Sequence, residues 1–147
     1  MTPRVVADIL PSPWLWHFSR VLITLMYWYA AFGFIINFRS AEADMTMTGL
    51  RPRWLVAALT IAVQLTGSGL IILDRAVWLG AGMLATFTLL TIPLDHDFWN
   101  LTGLAATQAK LESEEHLTVI GGLIAVSILS FLRKERGQSD RERRASQ

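Results

Sequence analysis

The 147-residue chain contains no cysteine. That excludes a disulfide framework, a thiolate nucleophile, a cysteine-ligated iron–sulfur cluster and covalent haem attachment. It also leaves the compartment unreadable from redox usage. No phosphate-cradling loop or dinucleotide fingerprint occurs; the Gly67–Ser68–Gly69 triplet lies inside an apolar run. A second absence says more. Ala76 to Leu94 and Trp54 to Leu73 hold no Asp, Glu, Lys, Arg or His, and His17 to Phe38 holds only His17 and Arg20, both at its start. Leu117 to Leu132 is a fourth, shorter run, and it reaches the length of the others if a helix begins at Ser113. That start places Glu114 and Glu115 in the first turn, beside the partly positive helix end.

What remains is 52% apolar with six tryptophans. Each run matches the roughly 20 residues a helix needs to cross about 30 Å of hydrocarbon. The second and third show no polar face wide enough for a solvated helix, and no cleavable leader is expected in place of the first. The fold class expected is therefore all-α, an integral membrane four-helix bundle. Its parts are an interfacial N-terminal segment (1–16, with Pro11 and Pro13), a membrane domain (17–132, spans 17–38, 54–73, 76–94 and 113–132), and a disordered basic tail (133–147). An even number of spans puts both termini and the Leu73–Arg75 turn on one side. That side carries Arg4, Arg20, Arg75, Arg133, Lys134, Arg136, Arg141, Arg143 and Arg144, against Arg39, Arg51, Arg53 and Lys110 on the other. The excess places both termini in the cytoplasm, with Arg20 snorkelling to the inner surface. Gly67/Gly69, Ala58/Ala62, Gly82/Thr86 and Gly121/Ala125 are small residues suited to close helix contacts.

The third span runs outward into Leu94–Asp95–His96–Asp97–Phe98–Trp99–Asn100. Charges and an anchoring tryptophan are expected where hydrocarbon ends. The chain returns through Glu112, Glu115 and His116, which share one helical face at i, i+3 and i+4. Two imidazoles and several carboxylates thus meet at one outer rim. The alternatives are a solvated acidic rim, proton exchange by histidine, a quinone head group against ring nitrogen and aromatic face, an axially ligated haem or a divalent metal. No metal site is assigned, with Asp97, Glu112 and Glu115 the carboxylates that would contribute to one. Gln64, an amide in mid-span, should face inward and bond a neighbouring helix, or else touch a ligand. His96, Trp99, Gln64 and His116 are the candidate cofactor-binding residues.

The stretches FGF late in span one, AVQLTGSGLIIL in span two, LDHDFWNLTG after span three and EHLTVIGGLI opening span four resemble the DoxX family of small bacterial inner-membrane proteins. The likeness runs from Arg20 to Leu132. Its most specific element is His96 to Trp99, followed by Thr102 and Gly103; the Gly121/Gly122 pair supports it. The resemblance implies a four-helix membrane fold and an association with quinone-linked redox metabolism, since one branch includes the membrane subunit of a thiosulfate:quinone oxidoreductase. Relatives often have a carboxylate at the position of Gln64, a lysine near Ile36 and a lysine near Glu115. Without those cations, thiosulfate oxidation is not expected here.

Two functional expectations follow. In the first, the chain is a non-catalytic small subunit, or an assembly or anchoring component, of a larger membrane redox complex. In the second, it is a quinone-linked oxidoreductase component using His96 and Trp99 at the outer surface. The partners expected are the lipid bilayer and other membrane subunits or further copies of the chain, with no nucleic acid. The location expected is the bacterial inner membrane, as a multi-pass protein. Quinone is the cofactor considered first, ahead of haem or a divalent metal.

Overall fold

A Ser–Pro pair starts the first membrane segment. In the computed structural model, which describes residues 3–46 and 48–146, the Ser12 hydroxyl accepts a hydrogen bond from the Leu15 amide and Pro13 occupies the first helical position, as helix starts favour. A short helix α1 (Arg4–Ile9) precedes it. Helix α2 (Pro13–Ile23) gives way at Thr24 to α3 (Leu25–Ile36), and the two are bent by 51°. The Thr24 hydroxyl donates back to the carbonyls of Arg20 (2.9 Å) and Val21 (3.2 Å). Such back-bonding competes with the helical ladder and bends it. The first span is therefore a bent pair rather than one straight rod. Asn37 then ends α3 and caps α4 (Phe38–Asp44) by accepting from the Ser40 amide.

Helix α5 (Arg53–Ile72) ends in a Schellman motif: the Arg75 amide donates to the Leu70 carbonyl and the Asp74 amide to that of Ile71. The motif needs a left-handed residue after the helix, and Asp74 supplies it with φ of 57°. Helix α6 (Val77–Asp95) follows at once and packs along α5. The two backbones touch at Gly67 and Gly80: a Cβ on Gly80 would lie 2.7 Å from the Gly67 carbonyl oxygen, and one on Gly67 would lie 2.7 Å from Leu84 Cγ. Gly69, Gly82 and Gly121 have open space around them, so their small size is not used within the chain.

After a 3-10 turn (Phe98–Asn100), α7 runs from Gly103 to Ala145 without a break. At 43 residues it is about 65 Å long, twice what the hydrocarbon requires. It departs from expectation at both ends. It begins at Gly103, well before Ser113, so Glu114 and Glu115 sit in mid-helix, away from the N-terminal dipole. It also continues through the polar stretch 133–145, where a structureless tail is expected from sequence. Once a helix exists, each added residue costs no new nucleation, and arginine, lysine and glutamate propagate it well. Helices α5, α6 and α7 are each long and apolar enough to cross a membrane, and the bent α2–α3 pair makes a fourth span if counted as one. Helix α6 lies between α5 and α7; α3 and α4 pack on α5, and α2 reaches both α5 and α7.

Arg20 does not snorkel. It is 6% exposed, donates from Nη1 to the Ile71 carbonyl (3.1 Å) and lies 3.6 Å from the Asp74 carboxylate. Trp16 Nε1 (3.2 Å) and the Ser130 hydroxyl (3.0 Å) also donate to that carboxylate, and Lys134 donates to the Asp74 carbonyl. One aspartate in the α5–α6 turn thus ties α2 and α7 together. Burial pushes its carboxyl up, but the hydrogen bonds from Trp16 and Ser130 and the charges of Arg20 and Lys134 outweigh burial and hold it below the usual carboxylate range.

Candidate functional site

At the opposite end from Asp74, a cavity of about 400 Å³ opens between α3, α5 and α6 under the segment that follows α4. Its volume is that of a small-molecule site. Gln64 and Tyr27 line its inner end, and His96 and His116 line its mouth. Gln64 lies midway along α5, so the cavity reaches about 16 Å down that helix from its start. Most of the wall is apolar, from Phe34, Leu59, Val63 and Phe87 among others. Gln64 is 6% exposed and its Oε1 has no hydrogen-bond partner among the described residues. A buried carbonyl oxygen without a donor is costly, and the Gln64 residue that carries it is part of the cavity lining. The Tyr27 hydroxyl bonds Thr88 Oγ1, which in turn donates to the Leu84 carbonyl (2.8 Å).

The two histidines are oriented by one residue. His96 caps the end of α6, and its Nδ1 lies 3.0 Å from the Glu112 carboxylate. His116, one turn further along α7, donates from Nδ1 to the Glu112 backbone carbonyl (2.6 Å). With both Nδ1 atoms engaged, Nε2 is the nitrogen each ring has left for the cavity. The rings meet edge to face, with centroids 4.8 Å apart. Ser113 closes the corner by donating to the carbonyls of Ala109 and His96.

Most of the cavity lining lies in the part of the chain with a known relation. A family model described as DoxX matches residues 15–97. The chain belongs to the DoxX family. The match takes in Tyr27, Gln64, Thr88 and His96, and ends before Trp99, Glu112 and His116. No curated protein and no solved structure matches the chain. Together with the apolar helices, membership makes this a small multi-pass integral membrane protein in contact with lipid.

Within this DoxX chain the residues singled out from sequence divide. Gln64, His96 and His116 line one cavity. Trp99 does not; it is 55% exposed and stacks edge to face on Phe98. Asp97 accepts from Asn100, and Glu115 is exposed, so neither joins Glu112 beside the histidines. Among the described residues no three His, Asp or Glu side chains are placed to hold a metal ion. The touching imidazoles also leave no room for a haem macrocycle between them. Gln64 makes no bond to a neighbouring helix through Oε1, contrary to its expected role as an interhelical clasp. Tyr27 and Thr88 are not among the candidates that sequence reasoning selects. A signal for them exists, since each is a hydroxyl within an apolar run, where polar groups need partners.

Proposed function

We propose that this DoxX-family protein spans the bacterial inner membrane four times as a bundle, with both termini cytoplasmic. Its cavity takes a small ring compound of the quinone class from the bilayer. The observation that carries this reading is the unpartnered Gln64 oxygen at the end of an apolar cavity whose mouth bears two oriented imidazoles. A quinone-type head group suits that shape: a flat apolar ring for the aliphatic and aromatic walls, and a polar atom for each end. His96 and His116 hold the end near the membrane surface, Gln64 the deep end, and Glu112 fixes the ring nitrogens. Trp99 serves as an interfacial anchor. The orientation rests on the cation excess of the Asp74 side. The test is extraction of the detergent-purified protein with solvent and titration of the stripped protein with a short-chain quinone and its quinol, followed by tryptophan fluorescence. A retained quinone or quinol and saturable binding of the pair, with the affinity for the quinol weakened at least about tenfold in Gln64→Leu, are expected; absence of both overturns the reading.

The chain acts within a larger membrane redox complex and catalyses nothing alone. Supporting this second element, Gly82, Thr86, Gly121 and Ala125 face outward, with open space around both glycines, a surface suited to close approach of a further helix. Co-purification in mild detergent of a defined partner or a second copy, lost in Gly82→Leu or Gly121→Leu, is the expected result.

A further inference from the structure

The polar wall of the cavity is unbalanced: it offers lone pairs and few protons. Four of its hydroxyls have already spent the single proton each carries. Thr88 donates to the Leu84 carbonyl (2.8 Å), Thr91 to the Thr88 carbonyl (2.8 Å) and Thr48 to the Met45 carbonyl (2.9 Å). A carbonyl oxygen can only accept, so the direction of these bonds is fixed. Because the Thr88 proton is committed, the bond between Tyr27 and Thr88 has one possible direction, with the Tyr27 hydroxyl donating to Thr88 Oγ1. Tyr27, a lining residue of the cavity, then has only lone pairs left to offer. Gln64 Oε1 adds a carbonyl oxygen that is more than nine-tenths buried and has no donor among the described residues. Against these stand the Gln64 Nε2 amide and the Thr60 hydroxyl.

Resting on the reading of this cavity as a site for a ring compound, we infer that its occupant is recognised through hydroxyl groups it donates. A phenol or quinol is held at Tyr27 and Gln64 in preference to the corresponding ether or carbonyl form. A ligand O–H satisfies the orphaned Gln64 oxygen or the Tyr27 lone pairs. A ligand carbonyl would set lone pair against lone pair within a mostly apolar wall. Sites built to hydrogen-bond a hydroxyl reject analogues that lack it far more strongly than apolar pockets reject a change of size.

The experiment compares a 4-alkylphenol with its methyl ether, which differ by one donor, on the full-length protein in detergent by isothermal titration. The phenol is expected to bind at least about tenfold more tightly. Gln64→Leu removes one acceptor and should shrink that ratio. Thr88→Val, close in shape, strands the Tyr27 proton and turns Tyr27 into a donor, so the ratio should fall while the matching quinone gains affinity. Equal affinity for phenol and ether in the parent protein overturns the inference and leaves the cavity reading standing. Absence of binding by phenol, ether and quinone alike overturns both. A preference that survives both substitutions also overturns the inference, since it would then arise from other groups.

Discussion

Asp74 holds a left-handed backbone conformation usually left to glycine or asparagine, and its side chain ends in a half-buried carboxylate. Trp16, Ser130 and Arg20 all converge on that group. Asp74→Asn keeps the backbone preference and removes the charge. A loss of about 1–2 kcal/mol in detergent at neutral pH is expected from charged hydrogen bonds that are partly exposed. The pH dependence has a definite sign. A carboxyl held below its ordinary value in the folded protein stabilises at pH above its unfolded pKa, near 3.8, and loses that contribution as pH falls through the folded pKa. Thermal melts of parent and Asp74→Asn should therefore differ at pH 7 and converge below about pH 4. Gln64 behaves in the opposite way. Its oxygen has no donor among the described residues, so Gln64→Leu should leave the stability of the protein alone unchanged or raise it by up to about 1 kcal/mol, read as an equal or higher melting temperature, while binding weakens. Gln64 is conspicuous in the sequence as a lone amide within an apolar run. That it lacks a partner depends on what α3 and α6 bring near it.

Between elements, α5 and α6 meet backbone against backbone. Gly80→Ala drives a methyl against the Gly67 carbonyl oxygen, a backbone atom that cannot rotate away, so the helices must separate. A loss of about 1–3 kcal/mol is expected. Gly82→Ala, on the open side of the same helix, should be neutral or stabilise by up to about 1 kcal/mol through helix propensity. Denaturation of the two variants side by side is the check, and equal effects would contradict the packing. Small residues at helical spacing are visible in the sequence; which of them meet is not, because several such pairs compete and only the crossing of α5 over α6 selects Gly67 and Gly80. The length of α7 was hidden for another reason. Its first and last turns lack apolar periodicity, and their helicity comes from continuing a helix that the membrane segment already nucleates. Amide exchange across 133–145 should show helical protection that decays toward the C-terminus.

At the scale of the molecule, two polar centres occupy opposite ends of the packed helices. The Asp74 cluster joins α2, the α5–α6 turn and α7, and the histidine pair joins α6 to α7. Reporter fusions after Ala145 and within the Phe98–Asn100 turn should report opposite sides of the membrane, with the C-terminal fusion cytoplasmic. A shared side would sink both the orientation and the assignment of the histidines to the outer leaflet.

The sequence alone determined that the chain is helical and lives in lipid, because long uncharged runs have no other way to satisfy their backbone polar groups. It also marked Gln64 as a polar group where polarity is costly, and His96 and His116 as imidazoles meeting at one outer rim. Tertiary structure decided the rest. It turned Arg20 from a surface cation into a buried partner of Asp74, moved Trp99 out of the site, and brought Tyr27 and Thr88 into it. The reason is directional: a hydrophobic run fixes depth in the membrane, whereas the facing of each side chain depends on how the helices rotate and bend against one another.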